Sequence, residues 1–406
     1  QPGSSMKPFL YALGLERGFA PATVLPDIPM DFGGEKVYVP LNFNNRYNGP
    51  VRYRIALASS LNIPAVYLLY RIGVNDYMEK LSQLQFDSLE GERGSTGLSI
   101  ALGSSEVTLY EMVHAFSVFA NDGYMNKVTF EKQKPSLSDT RSFTKVYESD
   151  TARIICNMLS DDSARELGFG HSKTFSTQYD SMLKTGTSNQ FQNIIALGAT
   201  TEFTAGVWMG NFEGETVVRQ TGSSIPASIV RQILDELTAE YGAGSFLQPQ
   251  TYEKKRICVL SGMSAGENCP SVTEEYVLKE NKEEQICTWH NKSNGHVQIT
   301  YPSEYQHWAS GQNMSGNIST GSSLLQIIYP TNGASFVYDS SIPQSQQMLR
   351  VQATGGSSNR AQLFVDDIFF GEAEGRLYWN VPLERGRHTL RVECNGEQTE
   401  IYFAVF

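Results

Sequence analysis

The chain has 406 residues, 40% of them hydrophobic and 18% charged, with a formal net charge of -11. This is the make-up of a folded protein of two or three units rather than a disordered or fibrous one. The acidic balance, with no clustered run of Lys and Arg, excludes nucleic acid as a main partner, because neutralising phosphates needs grouped cations. No stretch of about twenty apolar residues and no signal-peptide pattern occurs, so nothing in this segment is expected to span a membrane. The chain begins Gln1-Pro2-Gly3-Ser4 with no initiator Met and is read as a fragment whose exporting or anchoring segment lies upstream.

Ser4-Ser5-Met6-Lys7 opens the first predicted helix, and residues three apart there share a face, so Ser4 and Lys7 are expected to project together. Pro8 suits a helix start, and Gly18 and Pro21 stop the helix. A serine hydroxyl becomes a useful nucleophile when a neighbouring base takes its proton, and a lysine can be that base if burial or a nearby cation lowers its pKa. The tetrad alone is a weak signal, because it recurs by chance.

Ser60-Leu61-Asn62, within the run from Ile55 to Ala65, reads by itself as an ordinary helix-to-loop transition. Leu109, Met112, Val113, Phe116 and Phe119 follow at helical spacing and predict a core helix that Asn121-Asp122-Gly123 ends. Lys184-Thr185-Gly186-Thr187-Ser188 then follows strand signals at Tyr179 and Met182-Leu183. Its plain reading is a strand end with a turn; its functional reading is an edge strand where Gly186 lets a substrate approach the backbone. A hairpin from Ile194 to Ala199 and from Phe203 to Met209 turns at Thr200-Thr201-Glu202, and a helix from about Ala227 to Tyr241 closes the unit. The mixture predicts an α+β fold with an antiparallel sheet flanked by helices.

Small residues from Gly242 to about Gln250, and again from Ala309 to Ser323, read as linkers around a cysteine-bearing segment. Cys258, Cys269, Cys287 and His290 could form a Cys₃His zinc set, but only Cys287-x-x-His290 has close ligand spacing and the paired Cys-x-x-Cys knuckle is missing. No metal is expected; a disulfide between two of the three cysteines is the other reading, with its connectivity open. Cys156 and Cys394 lie in apolar periodic contexts and are expected to be buried core thiols. In the last eighty or so residues, alternation at Leu349, Val351, Ala353, at Leu377, Trp379, Val381 and at Leu390, Val392, Cys394 predicts short strands, with Asn395-Gly396 as a type I′ turn. Together these predict a small immunoglobulin-like all-β sandwich.

The order Ser-x-x-Lys, Ser-x-Asn, Lys-Thr-Gly resembles the signature set of penicillin-binding proteins and class A β-lactamases. Gln1 to Phe9 is similar to the nucleophile segment of bifunctional class A penicillin-binding proteins. Leu102-Gly103 with Glu106-Val107-Thr108, Phe119-Ala120-Asn121-Asp122-Gly123 and Val207-Trp208-Met209-Gly210-Asn211 resemble further parts of that family. The cysteine-bearing segment and the terminal β-module look most like one subgroup whose tail carries a similar extension. One departure is Asn193-Ile194-Ile195, where many relatives have an Asp and a Trp, which bears on the acceptor side of the cleft.

The resemblance implies a penicillin-sensitive DD-transpeptidase that removes the terminal D-Ala of a peptidoglycan stem peptide and passes the acyl group to a neighbouring amine. Ser4 would be the nucleophile and Lys7 its base, with Lys184 disfavouring a second ammonium nearby. Ser60 would relay the proton to the leaving amine, and Asn62 would hold Lys7 and the substrate amide. Backbone N–H groups of Ser4 and Thr187 would form the oxyanion hole, each such donor being worth about 3 kcal/mol. Thr185, Gly186 and Thr187 with Lys184 would bind the substrate and its carboxylate. No cofactor is implied; β-lactams would acylate Ser4, an upstream glycosyltransferase domain is implied for the parent chain, and the location would be the outer face of the inner membrane. The family also implies strands upstream of the nucleophile helix in the same sheet.

The expected boundaries are 1–243 for the transpeptidase unit, 244–324 for the cysteine-bearing linker segment and 325–406 for the immunoglobulin-like unit. The same motifs would serve a DD-carboxypeptidase or a β-lactamase, although no deacylating Glu can be placed. A catalytically inert binding or scaffolding fragment is the remaining alternative.

Overall fold

The structure is a computed structural model. It describes residues 1–406 apart from 34–37, 43–46, 132–142, 170–172, 189–191, 212–214, 216, 218–224, 281–284, 294–295, 311–324, 331–332, 337–347, 355–359, 375–376 and 406.

A single 3-10 turn, Gly3–Met6, leads into the helix Lys7–Glu16 with Pro8 in its first turn. Every residue of that helix from Lys7 to Leu15 is buried. A helix apolar on all sides belongs in the middle of a domain. Phe9 packs against Phe86 and Phe119 with ring centroids 5.5 and 5.7 Å apart, and Tyr11 lies 4.6 Å from Tyr53. The predicted core helix is Leu109–Ala120, opened by a capping box in which Thr108 and Glu111 exchange side-chain-to-backbone bonds. It ends where Asp122 and Gly123 take positive φ, as the Asn-Asp-Gly sequence allows.

Three antiparallel strands, Met182–Thr187, Asn193–Ala199 and Thr204–Gly210, lie side by side in that order. Alternation along a strand sends neighbours to opposite faces. Accordingly Met182, Ile195, Leu197 and Ala199 join the main core that holds the Lys7–Glu16 helix. Leu183, Ala196 and Ala205 instead join a second cluster with Val230 and Leu234 of the helix Ile225–Tyr241. The sheet is thus covered on both faces by helices, which explains why its strands read as continuous apolar runs.

Beyond it, the hairpin Tyr252–Cys258 with Val272–Leu278 docks on the first unit through charge. Glu275 accepts from Arg54 Nη2 at 2.6 Å and from Arg52 Nη1 at 3.0 Å, with all three side chains nearly buried. Residues 242–250 form no helix or strand, as the linker reading expects, yet they are pinned: the Asp150 carboxylate accepts the Gln250 N–H at 2.9 Å, and Tyr276 Oη donates to Gln248 Oε1 at 2.6 Å. Most of the second expected linker, Ala309 to Ser323, falls outside the described residues.

Among the described residues, the C-terminal part forms two sheets, one of three strands and one of five. All nine alternating residues predicted to face inward, from Leu349 to Cys394, lie in one buried cluster that also holds Ile401, Phe403 and Val405. Asn395 and Gly396 both take positive φ, 48° and 84°, the pair a type I′ hairpin turn requires. Cys156 and Cys394 are buried, Cys156 within the main core.

Candidate active site

Three segments far apart in sequence meet at two buried lysines. Lys7, the first residue of its helix, is fully buried, and its Nζ donates to Asn62 Oδ1 and to the Ser60 carbonyl, both at 2.7 Å. Lys184, on the edge strand of the sheet, donates to Ser60 Oγ at 2.9 Å and to the Thr185 carbonyl at 2.7 Å. Ser60 therefore bridges the two lysines, its carbonyl on one and its hydroxyl on the other. It does so in a left-handed conformation, φ 59°, which a serine adopts at some steric cost. That φ lies between the helices Tyr53–Ala58 and Asn62–Ile72, the transition the sequence reads as ordinary.

Asn62 is held from behind by residues the motif reading did not find. Its Nδ2 donates to the Leu41 carbonyl at 2.7 Å, which turns its oxygen towards Lys7, and its backbone N–H donates to Asn42 Oδ1 at 2.7 Å. Asn42 Nδ2 in turn donates to both oxygens of the buried Asp27 at 2.7 and 2.9 Å, and Asn48 gives Asp27 its backbone N–H at 2.9 Å. Asp27 ends a short strand, Val24–Asp27, paired with Gly49–Arg52. The only sequence signal was a lone acid in an apolar stretch followed by an Asn-rich loop, too common a pattern to carry a prediction.

Burial sets the charges. Desolvation pulls the Lys7 ammonium down to about 7, with the Asp27 charge opposing it. Lys184 is pushed well below the ordinary lysine range by burial first, then by the Lys7 and Arg165 charges. Desolvation raises Asp27, against the hydrogen bonds from Asn42 and Asn48. Two cations in one dry site cannot both stay protonated cheaply, so one lysine is readily a neutral amine near pH 7.

Backbone geometry completes the site. The Ser188 N–H donates to the Asn193 carbonyl at 2.8 Å. In an antiparallel ladder this turns the peptide groups of Lys184 and Gly186 towards the neighbouring strand and those of Leu183, Thr185 and Thr187 towards the open side. Consistent with that, the Leu183 carbonyl accepts from Arg165 Nη2 at 2.8 Å, and the Thr187 backbone faces Gly3 so closely that a Cβ on Gly3 would lie 2.4 Å from its oxygen. A Cβ on Gly186 would lie 2.1 Å from the Pro2 carbonyl and 2.9 Å from the Ser5 nitrogen. Gly186 thus admits the chain's own turn around Ser4, rather than only a substrate as its sequence context suggests. Ser4 is half-buried within that turn, and among the described residues its hydroxyl has no hydrogen-bond partner. Asn193, the departure from the family pattern, accepts from Trp208 Nε1 at 3.0 Å and caps the strand end.

A serine one turn before a buried lysine drawn down to about 7, beside the open side of an edge strand, is an arrangement that can support acyl transfer. The match to the model of the penicillin binding protein transpeptidase domain covers residues 1–235, and the chain belongs to that family. Residues 315–403 match the Penicillin-Binding Protein C-terminus Family.

Among curated proteins, penicillin-binding protein 1C of Escherichia coli (strain K12) is 29% identical over 233 residues, 57% of this chain and 29% of that protein. Penicillin-binding protein 1A of Pseudomonas aeruginosa is 25% identical over 66% of this chain and 40% of its own length. The chain thus spans well under half the length of both. The crystal structure of penicillin-binding protein 1A from Haemophilus influenzae shares the fold at a TM-score of 0.60 and 23% identity, covering 70% of this chain and 49% of that one. The penicillin-binding protein PonA1 from Mycobacterium tuberculosis does so at 0.52 and 21%, covering 62% and 71%.

Proposed function

We propose that the chain is the DD-transpeptidase part of a class A cell-wall synthase, acting through a serine acyl-enzyme. The observation that carries this is the buried, near-neutral Lys7, held by Asn62 and Ser60 one helical turn after Ser4. In this reading neutral Lys7 takes the Ser4 proton as Oγ attacks the carbonyl of the penultimate D-Ala. The developing oxyanion is met by the backbone N–H groups of Ser4 and Thr187. The C–N bond to the terminal D-Ala then breaks, and its nitrogen receives a proton through the Ser60 hydroxyl, which Lys184 orients. An amine from a neighbouring stem peptide attacks the ester, releases Ser4 and leaves a cross-link. Thr185, Gly186, Thr187 and Lys184 bind the peptide and its carboxylate.

The units 1–243, 244–324 and 325–406 are proposed as transpeptidase, connecting segment and immunoglobulin-like module. An upstream glycosyltransferase and membrane anchor are proposed for the parent chain, with the catalytic face outside the inner membrane. Among the described residues no helix is long and apolar enough to cross a membrane.

The test is a fluorescent penicillin incubated with the protein and resolved on a denaturing gel, with Ser4→Ala as control. A stable covalent band that disappears in Ser4→Ala supports the reading, and rapid loss of label would favour a β-lactamase. Release of D-Ala from a pentapeptide, with and without an acceptor amine, separates transpeptidation from carboxypeptidation. A folded chain that takes no label, and takes none when extended upstream by the strands the family implies, would overturn the reading in favour of an inert, scaffolding role.

A further inference from the structure

The segment between the two matched families holds a side-chain cluster that acyl transfer does not use. Cys258 ends the first strand of the Tyr252–Cys258 hairpin, and Cys269 lies in the loop that leads to its partner strand. Cys287 and His290 come from the next segment, brought over by bridges from Ser264 to both Ile257 and Ile286 and by the Cys287 N–H donating to the Ser264 carbonyl at 2.9 Å. The three sulfurs and one imidazole nitrogen all lie within 4.8 Å of one another. His290 Nδ1 is 3.5 Å from Cys258 Sγ and 3.3 Å from Cys287 Sγ. A tetrahedral ion with bonds of about 2.3 Å to sulfur and about 2.0 Å to nitrogen separates such ligands by about 3.5 Å, and two sulfurs by about 3.8 Å.

The geometry points to a structural zinc site of the Cys₃His type at Cys258, Cys269, Cys287 and His290. Three thiolates with one imidazole favour zinc over the hard cations that prefer oxygen. Four protein ligands leave no open position, so the site is structural rather than catalytic. Donors already face the sulfurs from outside: Ser261 Oγ lies 3.2 Å from Cys287 Sγ, and the Gly266 N–H lies 3.3 Å from Cys269 Sγ. Such contacts stabilise thiolate charge and fix ligand direction. A disulfide would use only two of the three sulfurs and leave the third thiol and a buried imidazole facing it, whereas a metal uses all four groups. The surrounding core is small, built from Ile28, Trp289, Tyr301, Tyr305 and Ala309 around Cys258 and Cys287. Units with so little apolar surface to bury commonly need a metal or a cross-link to hold their fold. This placement revises the expectation of no metal, and it does not rest on the transpeptidase reading.

The test uses the full chain, produced with zinc in the medium and purified with a reductant and no chelator. About one zinc per chain is expected by elemental analysis, and cobalt(II) in its place is expected to give the visible absorption of a tetrahedral thiolate complex. Cys287→Ser is expected to lose both signals. Should that variant fail to fold, Cys269→Ser removes the more exposed thiolate and is expected to weaken zinc retention against a chelating indicator at least ~10-fold. The proposal is overturned if the reduced, folded wild-type chain keeps less than about a tenth of an equivalent of zinc. It is equally overturned if the foldable variant retains zinc as tightly as the wild type, or if chain isolated without reductant carries a disulfide between two of these cysteines.

Discussion

Asn42 lies between Asp27 and Asn62, giving its amide N–H groups to the carboxylate at 2.7 and 2.9 Å and accepting the Asn62 backbone N–H at 2.7 Å. A buried carboxylate is thereby tied to the start of the helix whose first side chain holds Lys7. Replacing Asn42 with Ala leaves Asp27 and the Asn62 N–H short of partners, a cost of about 1–3 kcal/mol. Asn42→Ala is therefore expected to slow penicillin acylation by roughly 10- to 100-fold while leaving Ser4 as the labelled residue. Stopped-flow measurement of labelling rates checks this, and an unchanged rate would remove Asn42 from the positioning chain.

The acylation rate is expected to rise with pH through about 7, because Lys7 titrates there and only its neutral amine can take the Ser4 proton. Stability should follow the same direction. The folded state disfavours protonated Lys7 and the unfolded state does not, so between about 7 and the ordinary lysine value of 10.5 the unfolded chain binds more protons. Unfolding free energy therefore increases with pH across that window, and the depressed Lys184 adds to it with the same sign. In Lys7→Met the Lys7 part of this slope should vanish along with labelling, as denaturant titrations at pH 7 and pH 9 would show.

Gly186→Ala places a methyl group 2.1 Å from the Pro2 carbonyl. The edge strand and the turn around Ser4 must then separate, which withdraws the Thr187 N–H from the reacting carbonyl. Loss of one oxyanion donor typically costs 10²–10³ in rate. The expected result is labelling slowed by about that factor with circular dichroism unchanged; wild-type labelling would show that the turn yields without harm.

Glu275→Gln removes the charge that Arg52 and Arg54 share across the contact between the hairpin and the first unit. Breaking a buried pair on one side commonly costs about 3–5 kcal/mol, because the remaining charges stay desolvated. A fall in the urea midpoint of matching size is expected, and a change below about 0.5 kcal/mol would mean that solvent reaches the arginines.

Much of this protein is legible in the sequence because it depends on local chemistry. Periodicity placed the Leu109–Ala120 helix, the Asn193–Ala199 and Thr204–Gly210 hairpin and the inward residues of the C-terminal sandwich. The order of three short motifs, through its resemblance to a known family, singled out Ser4, Lys7, Ser60, Asn62 and Lys184, and the structure brings the last four into hydrogen-bonding contact. What only the tertiary structure decided are relations between segments with no shared pattern: Asp27 and Asn42 behind Asn62, Ser60 turned left-handed between two lysines, and Arg165 beside Lys184. Cys258, Cys269, Cys287 and His290 belong to the same group, since their convergence follows from strand bridges rather than from knuckle spacing. The physical reason is common to all of them. A buried polar group needs a partner in space, and many sequence separations can supply one, whereas a helix or strand announces itself through the spacing of its own residues.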